Sequence, residues 1–268
     1  MCFSALIRAK LEELEQEAGA KAVASLWAQL YETDRTDPGK IKFVAGSEGR
    51  LFPGILAPVI RKDREKLWIE PMIYSAWAPA HLKSRNLTSY NARRDNLTSP
   101  FWASAFGKGH GMIIMKAFYE WVAVRDLLKA GVIVLSDVEA EFDRQSELRR
   151  KKIIAAGKSY KKTKTELKPP IDRKIIIEFR PEKDPGMLVP VIFNQDPEGR
   201  SPYKGFAIVT DDPPEEVEAA GHDRCPVILN HEAMTQWLSP ETSNESELIK
   251  LLTRGVPPKL SHTLDQAS

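Results

Sequence analysis

Cysteine is nearly absent from this 268-residue chain, which holds only Cys2 and Cys225. That excludes a disulfide framework and a cysteine-rich zinc site, because both need more thiols. Neither sign of charge is in excess. With 39 Lys and Arg against 37 Asp and Glu the formal net charge is +2, so any affinity for nucleic acid must come from local patches. Long apolar runs are also missing, and none approaches the roughly 20 residues needed to span a bilayer. Lys10, Glu12, Glu13 and Glu15 interrupt the first segment before it forms the apolar core of a signal peptide. These absences point to a reducing, cytoplasmic setting with no membrane partner, and no metal or other cofactor is expected. The 42% hydrophobic content is ample for a real core in one large domain or two small ones.

The pattern of apolar residues predicts the elements. Residues 5–31 read as helix, with Leu6, Ile7, Leu11 and Leu14 at helical spacing, Ser4 as a cap and Gly19 as a break before Leu26, Trp27 and Leu30. Short strand signals follow at 41–44, 57–61 and 66–70. Residues 81–110 are loop-rich and polar. Strand character returns at 111–124, 175–179, 189–193 and 206–210, and short helices are expected at 215–220 and 231–238. No regular βαβ rhythm is present, which favours an α+β fold with a largely antiparallel sheet. A single domain is expected over 1–256, with a loosely ordered tail at 257–268. The stretch 141–174 is set apart as a basic insertion. From Arg149 to Lys174 it carries eleven Arg and Lys against Glu166 and Asp172. It reads as a solvated helix and loop that can add non-specific phosphate affinity.

Four segments concentrate polar residues in apolar surroundings. The first is Cys2. If Met1 is removed, Cys2 carries an α-amine and a thiol on adjacent carbons, a 1,2-aminothiol that condenses with an aldehyde to a five-membered thiazolidine. The amine titrates at about 7.7–8.0 and a thiol near 8.5, so both nucleophilic forms exist near neutral pH. The second segment is Asn91-Ala92-Arg93-Arg94-Asp95. Asn91 offers a donor and an acceptor, and Arg93 and Arg94 either grip phosphates or pair with neighbouring carboxylates. The third is Phe118-Tyr119-Glu120-Trp121. Strand alternation puts Phe118 and Glu120 on one face, which either points the carboxylate at water or half-buries it among aromatics and so raises its pKa towards an acid/base range. The fourth is His222-Asp223-Arg224-Cys225, in which His222 can move a proton near neutral pH and Cys225 reads as a small buried hydrophobe.

Taken in order, Met1-Cys2, Tyr74-Ser75-Ala76-Trp77, Asn91-Ala92-Arg93, Phe118-Tyr119-Glu120-Trp121, Phe206-Ala207-Ile208-Val209-Thr210 and His222-Asp223-Arg224-Cys225-Pro226-Val227-Ile228-Leu229 resemble the blocks of the SOS-response-associated peptidase (SRAP) family, the abasic-site processing proteins. The resemblance implies a barrel-like sheet and a monomer that traps abasic sites in single-stranded DNA. It implies Cys2 as the nucleophile, Glu120 as acid/base, His222 as proton carrier, and Asn91 as orienter of the amine or sugar. Arg93 and Arg94 would meet DNA phosphates, and Met1 would be removed by the domain's own peptidase activity or by a housekeeping aminopeptidase. The chain departs from the family pattern at Phe3 and Ser4, where Gly and Arg are usual, and Arg8, Arg94 or the basic insertion are candidate replacements for that Arg. Two other classes start from the same residues. One is an N-terminal-nucleophile hydrolase or amidotransferase, and the other a non-catalytic single-strand-binding module.

Overall fold

The computed structural model describes residues 4–37, 41–44, 48–79, 89–183, 186–255 and 258–265. Cys2 lies outside the described residues, as do residues 80–88 of the expected loop. The architecture is organised on one long strand, β7 (His110–Ala123). Its run of apolar and β-branched residues suits a strand buried on both faces, and all but the end of it is buried.

Different neighbours use the two halves of β7. The first half pairs antiparallel with β9 (Met187–Asn194), and its start also pairs with β4 (Leu56–Asp63). β4 forms a full-length hairpin with β5 (Lys66–Tyr74). The end of β5 runs parallel to β10 (Gly205–Asp211), which returns antiparallel to β9. The pairings β4–β5–β10–β9–β7–β4 therefore close on themselves in a barrel-like ring. The second half of β7 leaves the ring between β1 (Ser4–Arg8) and β8 (Lys174–Pro181). β1 is flanked in turn by β3 (Glu48–Leu51), and β8 by β12 (Leu260–Leu264). The two-residue strands β2 (Lys21–Ala22) and β11 (Cys225–Pro226) pair with β5 and β10, and α3 (Val124–Lys129) follows β7 directly.

Alternation along these strands divides the core in two. Val59, Met72, Ile113, Met115, Val191, Phe206 and Ile208 point into the ring. Ile60, Ile69, Met112, Ile114, Ile192, Ala207 and Val209 point outward. The outer face is covered by α1 (Leu11–Ala18), α2 (Ala24–Thr36), α6 (His231–Trp237) and α7 (Glu245–Leu252), through Leu14, Trp27, Leu30, Trp237 and Leu248. Each such side chain removed from water contributes about 1.5–3 kcal/mol. Gly19 ends α1 in a left-handed conformation, φ 61°. Asn244 and Glu247 form a reciprocal capping box on α7.

The single helix expected over residues 5–31 is corrected. Residues Ser4–Arg8 are β1, and helix follows only in α1 and α2. The edge of β7 needs a partner, and that tertiary demand outweighs the local helical spacing. Ser4 caps nothing and sits in the sheet opposite Tyr119. The loosely ordered tail is also corrected over Leu260–Leu264, where β12 pairs with β8 across five residues and Leu260 is buried. Residues 266–268 lie outside the described residues. Within the basic segment, α4 (Leu135–Ala155) is followed by loop folded around Glu166. Arg149, Tyr160 and the Thr163 amide all donate to that carboxylate. Burial opposes its ionisation, but the Thr163 amide and the other donors hold it down at about 2.

Candidate active site

Glu120 follows Phe118 on the inward face of β7 as it leaves the ring, and its side chain is 1% exposed. Trp121, on the opposite face, is 41% exposed. The alternation read from the sequence therefore holds, and it buries the carboxylate. Burial raises the Glu120 carboxyl above the usual range, and the hydrogen bond and charge of His222 partly oppose this.

His222 arrives from the turn after α5 (Glu215–Ala219). Gly221 makes that turn at φ 80°, and a Cβ there would lie 3.0 Å from Asp126 and 3.2 Å from Val122. Glycine therefore lets the loop press against the end of β7. His222 Nε2 lies 3.1 Å from Glu120 Oε2. On its other side Nδ1 lies 3.2 Å from the Arg224 amide nitrogen and 3.0 Å from the Arg224 carbonyl. A neutral ring donates from Nε2 to Glu120 and accepts the Arg224 N–H at Nδ1. A charged ring donates from Nδ1 to the Arg224 carbonyl instead. Both protonation states have a partner in place, which suits a group that gains and loses a proton.

Cys225 lies near enough to Glu120 to feel its charge and is 3% exposed. Burial, with the negative charges of Glu120, Asp211 and Glu216, pushes its thiol far above the nucleophilic range. It packs as a hydrophobe.

Asn91 and Arg93 lie on β6 (Asn91–Arg93), which runs parallel to β10 with Asn91 opposite Ile208 and Arg93 opposite Thr210. Ile208 points inward with Phe118, so Asn91 stands on the same side of the sheet as Glu120. Asn91 is largely buried. The half-exposed Arg93 forks onto Asp95 at 2.9 and 2.5 Å, and that bond and nearby Asp212 and Asp223 strengthen its hold on its proton. Arg94 Nε lies 2.6 Å from Asp211. Both arginines are thus ion-paired, one of the two arrangements their sequence allowed.

The structure adds residues that no motif announced. Arg50 Nε donates to Ser4 Oγ at 3.0 Å, and its Nη1 donates to Asp265 at 2.6 Å. Its guanidinium lies 3.7 Å from the centre of the Tyr119 ring. Burial, then the bond to Glu178, raises the Tyr119 hydroxyl. Arg50, Ser4, Tyr119 and Asp265 are scattered over the chain and no spacing links them. Arg8 is engaged with Glu17. Among the described residues no group of three His, Cys, Asp or Glu is placed to hold a metal ion, and no helix is long and apolar enough to cross a membrane.

The fold and site define a barrel-like α+β protein with a buried carboxylate–imidazole pair where one strand leaves the ring. Comparison with known proteins carries this further. The family model for SOS response associated peptidase (SRAP) matches residues 159–263, the part of the chain that holds His222. The match bears out, over that part of the chain, the resemblance to the SRAP family read from the motifs. Solved structures resemble the chain over nearly its whole length. A protein from Bacteroides thetaiotaomicron has a TM-score of 0.62 at 13% identity, covering 99% of this chain and 93% of its own. A phage-related protein from Bordetella bronchiseptica reaches 0.57 at 15% identity, covering 99% and 94%. A further protein from Bordetella bronchiseptica reaches 0.54 at 13%, covering 98% and 99%. At such identities the likeness is one of fold. No curated protein matches by sequence.

Proposed function

We propose that this chain captures abasic sites in single-stranded DNA as a covalent thiazolidine on Cys2, after its own removal of Met1. The observation that supports this most is the placing of β1 against the acid/base pair. Ser4 pairs with Tyr119, the neighbour of Glu120. Consecutive Cα atoms are 3.8 Å apart, so the Cys2 backbone is tethered within about 7.6 Å of Ser4.

The chemistry follows from the groups. Glu120, its carboxyl raised by burial, gives a proton to the sugar ring oxygen while the anomeric hydroxyl loses one, and the ring opens to an aldehyde. The Cys2 amine adds to the carbonyl, and loss of one water leaves an imine. The thiol sulfur then adds to the imine carbon and its proton ends on nitrogen, closing the thiazolidine. His222 accepts and returns protons through its contact with Glu120. Asn91 orients the amine or the sugar, and Arg93 and Arg94 exchange carboxylate for phosphate when the strand binds. An abasic nucleotide has no base to unstack, which lowers the cost of presenting its sugar.

The test is a denaturing gel of mature protein with a single-stranded oligonucleotide holding one abasic site. A covalent band is expected, absent with undamaged DNA and lost in Cys2→Ala. No band, with removal of Met1 verified by mass, overturns the proposal.

A further inference from the structure

A second charged site lies at the opposite end of β7. Arg61 is opposite Gly111, and Glu120 is nine residues further along that strand, on the order of 30 Å away. Around the β4–β5 hairpin tip is a cavity of about 330 Å³. Five cations line it, Arg61, Lys62, Arg64, Lys108 and Lys204, against the carboxylates of Asp63 and Glu241.

The cations are held in place and outnumber the nearby carboxylates, five against Asp63, Glu70 and Glu241. Beneath the cup, Glu70 is 4% exposed. It accepts from Arg61 at 2.8 and 2.5 Å and from Lys204 at 2.7 Å. One carboxylate thus serves two cations, and Arg61 Nη1 also lies 3.6 Å from Asp63. Lys62 donates to the Ser239 hydroxyl at 2.9 Å and Lys108 to the Ala103 carbonyl at 2.8 Å, both neutral partners. Arg64 has φ 54° and is the one non-glycine residue with positive φ among the described residues. Glycine would sit in that conformation without strain, yet an arginine is there and lines the cup. The floor is rigid: His110 stacks on Trp237 at 3.8 Å and accepts the Gly107 amide at Nε2. Burial pulls its pKa down to about 4, so it adds no charge of its own.

We propose that this cup is a second binding site, for phosphate groups, supplied by the backbone of a nucleic-acid strand or by a free di- or polyphosphate. Fixed guanidinium and ammonium donors in a concave, partly desolvated site are the chemistry that recognises such an anion. The site does not depend on Cys2 or on the proposed crosslinking.

Titration calorimetry with inorganic pyrophosphate tests it, beside fluorescence anisotropy with an undamaged single-stranded oligonucleotide. The variant is Arg64→Gly with Lys108→Ala, which leaves the Arg61–Glu70–Lys204 bonds intact. Pyrophosphate binding is expected to weaken at least about tenfold, since two charge-assisted contacts go. Glu241→Lys is expected to strengthen it, and Cys2→Ala to leave it unchanged. If oligonucleotide affinity also falls and its salt slope drops by about 2, the strand backbone is the source. If the oligonucleotide is unaffected, the source is a free anion. The proposal is overturned if pyrophosphate does not bind and the oligonucleotide does not distinguish the variant. It is equally overturned if pyrophosphate binds the wild type and the variant alike.

Discussion

Removing the Asp265 carboxylate is the sharpest test of how the ends of the chain are joined. Its side chain is 1% exposed and that of its partner Arg50 is 16% exposed. In Asp265→Ala the guanidinium loses this counter-ion but keeps the Ser4 hydroxyl and the face of Tyr119. Breaking a buried pair from one side costs about 3–5 kcal/mol. The two surviving contacts and the exposed edge of Arg50 put the expected loss at the lower end, about 3 kcal/mol. That is a large share of the ~5–15 kcal/mol that holds a typical domain together. Arg50→Met, which strands the carboxylate instead, should cost as much or more, because the cation–π contact of about 1–2 kcal/mol goes too. Combining Arg50→Met with Asp265→Leu should recover most of the loss, since an apolar replacement of a whole buried pair is often neutral. Urea denaturation curves with unchanged slope measure all three. A loss under about 1 kcal/mol in Asp265→Ala, or a double variant as unstable as the sum of the singles, would refute the reasoning.

Glu120→Gln should slow crosslinking by about 10²–10⁴, the size of a general acid/base contribution, while undamaged DNA binds as before; an unchanged rate removes Glu120 from the mechanism. The same variant should gain stability over wild type as pH rises. The folded carboxyl is raised above its unfolded value near 4.3, so wild-type stability is fully present below that pH and is lost as pH climbs through the folded pKa. Denaturation at pH 4 and pH 8 checks this, and a gap that does not widen contradicts it. Gly109→Ala should cost about 3 kcal/mol or more, because its Cβ would fall 2.1 Å from the Phe193 carbonyl; a melting temperature equal to wild type would show that the strands give way. Changing Lys161, Lys162 and Lys164 together to Gln should lower the salt slope of oligonucleotide binding by up to about 3, and an unchanged slope makes the basic loop a bystander.

The strands of the ring were legible because their apolar runs are short, β-branched and bounded by turn residues. The Phe118–Trp121 alternation placed Glu120 on the side of Phe118, but left open whether that side met water or the interior. β1 was not legible, since Leu6, Ile7 and Leu11 fit a helix as well as a strand, and only the waiting edge of β7 decides between them. The α7 helix and β12 also went unread, the second because its strand character is weak without β8 beside it. In the site, motifs carried Asn91, Glu120 and His222 because each is a compact polar block. Arg50 and Asp265 are single residues with ordinary neighbours, and only the folded sheet brings them to Ser4. The pairing of Arg93 with Asp95 and of Arg94 with Asp211 was one of two open choices that composition leaves equal.

Cys225 has a practical meaning. The chain owns two sulfhydryls, and this one is 3% exposed with its thiolate suppressed by burial and three nearby carboxylates. A thiol-specific reagent that labels the native protein at all therefore labels Cys2. On the proposed function, labelling stoichiometry then reads how much of the population has been consumed by an abasic substrate, with no background from the interior. The slow appearance of a second label has a separate meaning. It times the rare openings that expose the core beneath His222, and so turns an inert side chain into a clock for local unfolding.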